Sequence, residues 1–97
     1  MIKDLYNIGL NEQEVDEIID ELGYDEALNL SCNYELIKKN IELLKSYGIK
    51  NIKQLIIYKE DLFFKNINDI VKMFSSYNIP VFVSLINEDV TTIDELF

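Results

Sequence analysis

The densest ionisable cluster in the chain is acidic: Glu12, Glu14, Asp16, Glu17, Asp20 and Glu21 within "NEQEVDEIIDELG", then Asp25 and Glu26. Carboxylates this close together can share a proton as an acid–base dyad, ligate a hard cation, or present a field to a basic partner. A dyad needs burial and unequal surroundings to separate its two pKa values. Here Val15, Ile18, Ile19 and Leu22 follow the i, i+3, i+4, i+7 spacing of one helix face, so Glu14, Asp16, Glu17, Asp20 and Glu21 fall on the opposite, solvated arc. Neither "DEIIDELGYDE" nor "NEDVTTIDE" has the Asp/Asn and Gly spacing of a calcium loop. The expectation is no catalytic residue, no metal and no cofactor, but a partner-binding surface of Glu14, Asp16, Glu17, Asp20, Glu21, Asp25 and Glu26. Like charges at i, i+4, such as Asp16–Asp20 and Glu17–Glu21, weakly oppose helix formation, which argues that the cluster has a use. The plainer alternative is a solvated face that keeps the protein soluble.

The remaining reactive residue types are sparse. The chain has nine Lys, no Arg and no His. Without His it lacks the group that titrates near neutrality and the commonest metal ligand. Without Arg it lacks a bidentate fork for carboxylate, phosphate or guanine. The single cysteine, Cys32, cannot form an internal disulfide, and with no His to activate it reads as a passive small residue. Lys38, Lys39, Lys45, Lys50, Lys53, Lys59, Lys65 and Lys72 could form a basic strip that binds phosphates as point charges. A nucleic-acid-binding regulator using that strip is the second functional reading. Fifteen Ile and ten Asn beside the nine Lys read as the codon bias of an AT-rich genome, so single Lys positions carry little weight. Phe63 and Phe64 beside Lys65 read as core residues, with an exposed apolar anchor as the alternative.

Net charge is −9 and unevenly placed. Residues 1–30 carry nine acids against Lys3, or −8; residues 31–80 carry eight Lys against five acids, or +3; residues 81–97 carry four acids and no Lys, or −4. Such a field attracts basic partners and repels phosphate backbones. The 97 residues, 48% hydrophobic and 28% charged, suit one globular domain with a single core. No apolar run approaches the ~18–20 residues that span a bilayer, and "MIKDLYNIGL" lacks the basic-then-apolar order of a secretory signal. A cytoplasmic setting is the expectation.

The elements that must position these residues are signalled by an echo. "LYNIGL" (5–10), "LKSYGI" (44–49) and "FSSYNI" (74–79) share an apolar residue, a turn residue and a second apolar residue at matching places. Gly9, Gly48 and Asn78 hold the turn position, which predicts a helix ending in a left-handed residue. Tyr47 and Tyr77, just before the turn, are expected to cover it. Each turn then restarts a helix: through capping boxes Asn11/Glu14 and Asn51/Gln54, and through Pro80 at a first helical position. Paired apolar positions follow at Ile18-Ile19, Leu55-Ile56 and Leu85-Ile86, then the short acidic-apolar links "DEAL", "EDL" and "EDV". The unit is a helix, a tight turn, a second helix and a short link, with pivots 39 and 30 residues apart. In the alternative reading, "QLIIY" and "IPVFVSLI" are strands near 52–58 and 80–86 of an α/β domain with a small-molecule site.

The run "LLKSYGIKNIKQLIIYKEDLFFKNINDIVKMF" resembles the helical repeat of the mitochondrial transcription termination factor family. The resemblance implies paired antiparallel helices with a short third one, stacked into a curved array, and in that family binding of double-stranded nucleic acid. The family's Pro near the end of the second helix is absent from "YKEDLF", "GYDEAL" and "INEDV", and its basic concave face has no Arg counterpart here. No functional residue is carried over.

The expected fold is therefore all-α, a compact array of two to three helix-pair units over residues 1–97. The expected function is a small acidic protein–protein interaction module, a regulator or inhibitor of a basic, nucleic-acid-handling protein, without chemistry of its own.

Overall fold

The apolar spacing closes one core of 21 buried residues that draws on every element of the chain. In a computed structural model that describes residues 1–97, those elements are six α-helices and three 3-10 helices, with no strand. A 3-10 helix (Ile2–Asn7) opens the chain, followed by α1 (Glu12–Leu22), α2 (Tyr24–Cys32) and α3 (Tyr34–Ser46). Then come α4 (Ile52–Tyr58), a second 3-10 helix (Glu60–Phe64), α5 (Ile67–Phe74), α6 (Ile79–Glu88) and a third 3-10 helix (Val90–Leu96). The fold is all-α. The order helix, turn, helix, short 3-10 helix occurs twice, as α3–α4 and as α5–α6 with their trailing 3-10 helices. In the N-terminal third the first helix is 3-10, and "DEAL" is not a short link but part of the nine-residue α2, because Ala27, Leu30 and Ser31 are buried on one of its faces.

The two segments with strand-like composition are both helical. Leu55 and Ile56 of α4 are fully buried, as are Phe82, Val83 and Ile86 of α6 nearly so, at a spacing only a helix brings to one side. The strand alternative at 52–58 and 80–86 is thereby replaced. Four rings link the second and third pairs: Tyr47–Phe74 at 5.1 Å, Phe74–Phe82 edge-on at 5.6 Å, and Tyr77 stacked on Phe82 at 4.4 Å. Phe63 is fully buried and Phe64 packs against the core, so neither is the exposed anchor of the alternative reading.

The turns divide. At the end of α3, Gly48 has φ +102°, its N–H donates to Lys45 O at 2.9 Å, and Ile49 N–H donates to Leu44 O at 3.1 Å. This is the Schellman pattern, with Ile49 as the buried apolar residue that folds back. Asn78 corrects the expectation. Its φ is −72° and it caps the start of α6, its side chain accepting from Val81 N–H at 3.3 Å. An Asn side chain can accept an orphan amide where Gly cannot, and here the start of the next helix claimed it. The capping boxes divide too. Asn11 accepts from Glu14 N–H at 2.8 Å while Glu14 accepts from Asn11 N–H at 3.1 Å, as expected. Asn51 forms no cap; its amide instead donates to Ile86 O at the far end of α6, at 2.9 Å. Pro80 is the second residue of its helix rather than the first.

Two substitutions separate these roles in chemical denaturation. Gly48→Val should lower stability by more than about 1 kcal/mol, since a β-branched residue tolerates positive φ badly. The added Cβ would sit an ordinary 3.6 Å from Val83 Cγ1, so backbone strain and not crowding carries the loss. Asn78→Ala should lower stability by about 1 kcal/mol through the lost cap, and Asn78→Gly by only about a few tenths. A silent Gly48→Val would refute the turn assignment.

Candidate protein-interaction surface

Helix α1 turns Val15 and Ile18 fully inward, with Ile19 and Leu22 half-buried beside them. The acids on its other side do not form one open face. Glu14 closes the cap of its own helix. Asp16 accepts from the Tyr6 hydroxyl of the first 3-10 helix, and this carboxylate holds the Tyr6 phenol above its ordinary range. Glu17 forms an ion pair with Lys53 of α4 and accepts from Gln13. The Lys53 hydrogen bond holds its carboxyl below the usual range, against a smaller desolvation effect. Glu17 thus binds α1 to α4, where the helix periodicity alone placed it on the solvated arc.

Five of the seven predicted residues are exposed, and of these Asp16 is taken up by Tyr6. Asp20 and Glu21 end α1, and Asp25 and Glu26 begin α2, with only Leu22, Gly23 and Tyr24 between the pairs. All four are exposed, and none takes part in an ion pair. Asp25 and Glu26 lie in the first turn of α2, where the helix dipole favours negative charge. Beside this arc, a groove of about 460 Å³ runs between α1 and α4, lined by Glu17, Glu21, Lys53, Gln54, Ile57 and Tyr58. Tyr58 is 41% exposed, an aromatic edge next to acid.

The basic residues divide in the same way. Lys45 donates to Gly9 O at 2.7 Å, Lys53 holds Glu17, and Lys59 pairs with Asp94 at 3.0 Å. Lys59 and Lys65 both lie over the Phe97 ring, at 5.2 and 5.4 Å. Lys38, Lys39, Lys50 and Lys72 keep exposed side chains without an ion pair. Half of the sequence-level strip is therefore spent on internal contacts.

Two features have no marker in the sequence. Tyr58 and Lys59 meet Asp94 across 36 residues of chain, and the Tyr58 hydroxyl, then Lys59, hold the Asp94 carboxyl below the usual range. Glu60, heading the second 3-10 helix, has one carboxylate oxygen out of solvent contact and without a donor. Burial, then the Glu26 carboxylate beside it, push its pKa up. Cys32 lies exposed at the end of α2.

Compared with known families, curated proteins and solved structures, the chain matches none. No helix is long and apolar enough to cross a membrane.

The Glu60 environment gives a pH dependence with a definite sign. Its folded pKa lies above the unfolded value of about 4.3, so the ionised form costs stability that is absent when both states are protonated. Glu60→Gln should raise the unfolding midpoint at pH 7, and the gain should vanish below about pH 4. Denaturant titrations at the two pH values measure it; an equal effect at both would exclude the carboxylate as the cause.

Proposed function

We propose that this chain is an acidic interaction module without chemistry of its own, acting in the cytoplasm as a regulator or inhibitor of a basic, nucleic-acid-handling protein. The observation that carries the reading is the set of unpaired acids at the α1–α2 junction, Asp20, Glu21, Asp25 and Glu26, next to the groove edged by Ile57 and Tyr58. An acid patch steers a basic partner and fixes its register, while an adjoining apolar groove supplies the desolvated contact that holds it. Glu14 and Asp16 position α1 through Asn11 and Tyr6, and Glu17, paired with Lys53, forms part of the groove wall. Two successive blocks with one order of elements support a helical-repeat array, in keeping with the resemblance to the mitochondrial transcription termination factor family. The acid surface favours a protein ligand over that family's nucleic acid.

The test compares two reversal sets on a partner captured with the wild-type chain and identified by mass spectrometry. Asp20→Lys, Glu21→Lys and Asp25→Lys together should keep the fold and slow association by about tenfold or more, with a flattened salt dependence. Lys38→Glu, Lys39→Glu and Lys50→Glu together should change association little. The opposite ranking, with retention on heparin, would overturn the proposal in favour of nucleic-acid binding by the Lys residues.

A further inference from the structure

The C-terminal helix pair carries a second groove that shares no residue with the acid arc of α1 and α2. It has a volume of about 540 Å³ and lies between α6 and the third 3-10 helix. Its apolar wall is Val81 and Leu85, one helical turn apart and 57% and 47% exposed, although the opposite side of α6 is buried. Its floor is already rigid. The Tyr77 ring stacks on Phe82 at 4.4 Å, and the Tyr77 hydroxyl donates to Glu95 O at 3.0 Å, tying the floor to the opposite wall. A preformed apolar groove binds without first meeting the entropic cost of ordering itself.

The rim of this groove selects its occupant. Residues 81–97 carry four acids, and the last Lys in the chain is Lys72. Two of those acids are used internally: Asp89 caps the third 3-10 helix through Thr91 N–H at 3.0 Å, and Asp94 is held by Tyr58 and Lys59. Glu88 and Glu95 have no ion-pair partner. Glu88 continues the Val81–Leu85 stripe by the i+3 step, and Glu95 lines the far wall. An apolar strip with Glu88 beyond one end and Glu95, beside Thr91 and Thr92, on the opposite wall complements an amphipathic helix whose apolar face is bordered by Lys or Arg. A second copy packed groove to groove would bring further acids against Glu88 and Glu95, and phosphate-bearing surfaces would meet the same repulsion.

We infer that the α6 groove is a docking site for a basic amphipathic helix of a partner protein, anchored on Val81 and Leu85 and oriented by Glu88 and Glu95. The inference is independent of the α1–α2 surface, and the test resolves the two. The probe is a synthetic peptide with Leu at i, i+4 and i+7 and Lys elsewhere, titrated into the full chain with amide chemical shifts recorded. A control peptide replaces each Lys with Glu. The Lys peptide should perturb residues 77–96, and Val81→Ser with Leu85→Ser should weaken it by about tenfold or more, at an unchanged unfolding midpoint. Glu88→Lys with Glu95→Lys, on exposed positions, should weaken it similarly and remove its salt dependence. Perturbation confined to residues 12–26 would overturn the inference while leaving the α1–α2 reading intact. So would equal binding of the Glu peptide, or unchanged affinity in both double variants. Self-association abolished by Val81→Ser and Leu85→Ser, or binding of phosphatidylglycerol vesicles through them, would assign the groove to a second copy or to a membrane instead.

Discussion

The longest helix in this protein has 13 residues and the shortest α-helix has seven. Helices this short leave a large share of their backbone donors and acceptors outside the intrahelical ladder, and a buried orphan of this kind is costly. Asparagine side chains take up much of that demand. Asn40, fully buried in α3, donates to both Phe63 O and Lys65 O at 2.8 Å and so holds the end of the second 3-10 helix against α3. Asn87 donates to Gly48 O at 3.0 Å and accepts from Lys50 N–H at 2.8 Å, clasping the α3–α4 turn to the end of α6. Asn51 returns the connection to Ile86 O, and Asn11, Asn66 and Asn78 cap helix starts. The high Asn count that composition alone ascribes to codon usage is thus also a structural resource.

These amide bridges bring the helix pairs into one core, and the core then overrides local preference. The segment "IPVFVSLI" is rich in residues that favour strands, yet it is α6. Asn78 caps it, Pro80 suits its first turn, and Phe82 joins the ring series that runs through Phe74 to Tyr47. With Val83 and Ile86 buried beside it, that aromatic contact holds the segment as a helix.

The same packing sorts the charges. Of 18 acids, Glu17 and Asp94 are neutralised by lysines and Asp4 by the N-terminal amine, and each lysine pairing joins elements distant in sequence. Among the acids left outward are those of the α1–α2 junction and Glu88 and Glu95 beside the α6 groove. Both places adjoin apolar surface, and that combination, rather than net charge, makes a surface able to hold a partner.

The sequence by itself favoured the all-helical class over an α/β alternative, and it determined the α1 stripe, the Asn11–Glu14 box and the Gly48 turn. Each depends on residues within a few positions of one another, where periodicity and backbone sterics act locally. Whereas Asn78 caps Val81 three residues on, tertiary structure alone decided what Asn51 does, because its amide binds the Ile86 carbonyl that the fold brings within reach. It alone separated Glu17 from Asp20 and Glu21, since nothing in α1 announces that Lys53 of α4 will stand against one of them. The grooves and the half-buried carboxylate of Glu60 were equally illegible in one dimension. They arise where surfaces from distant segments meet, and a linear pattern holds no information about the distance between such surfaces.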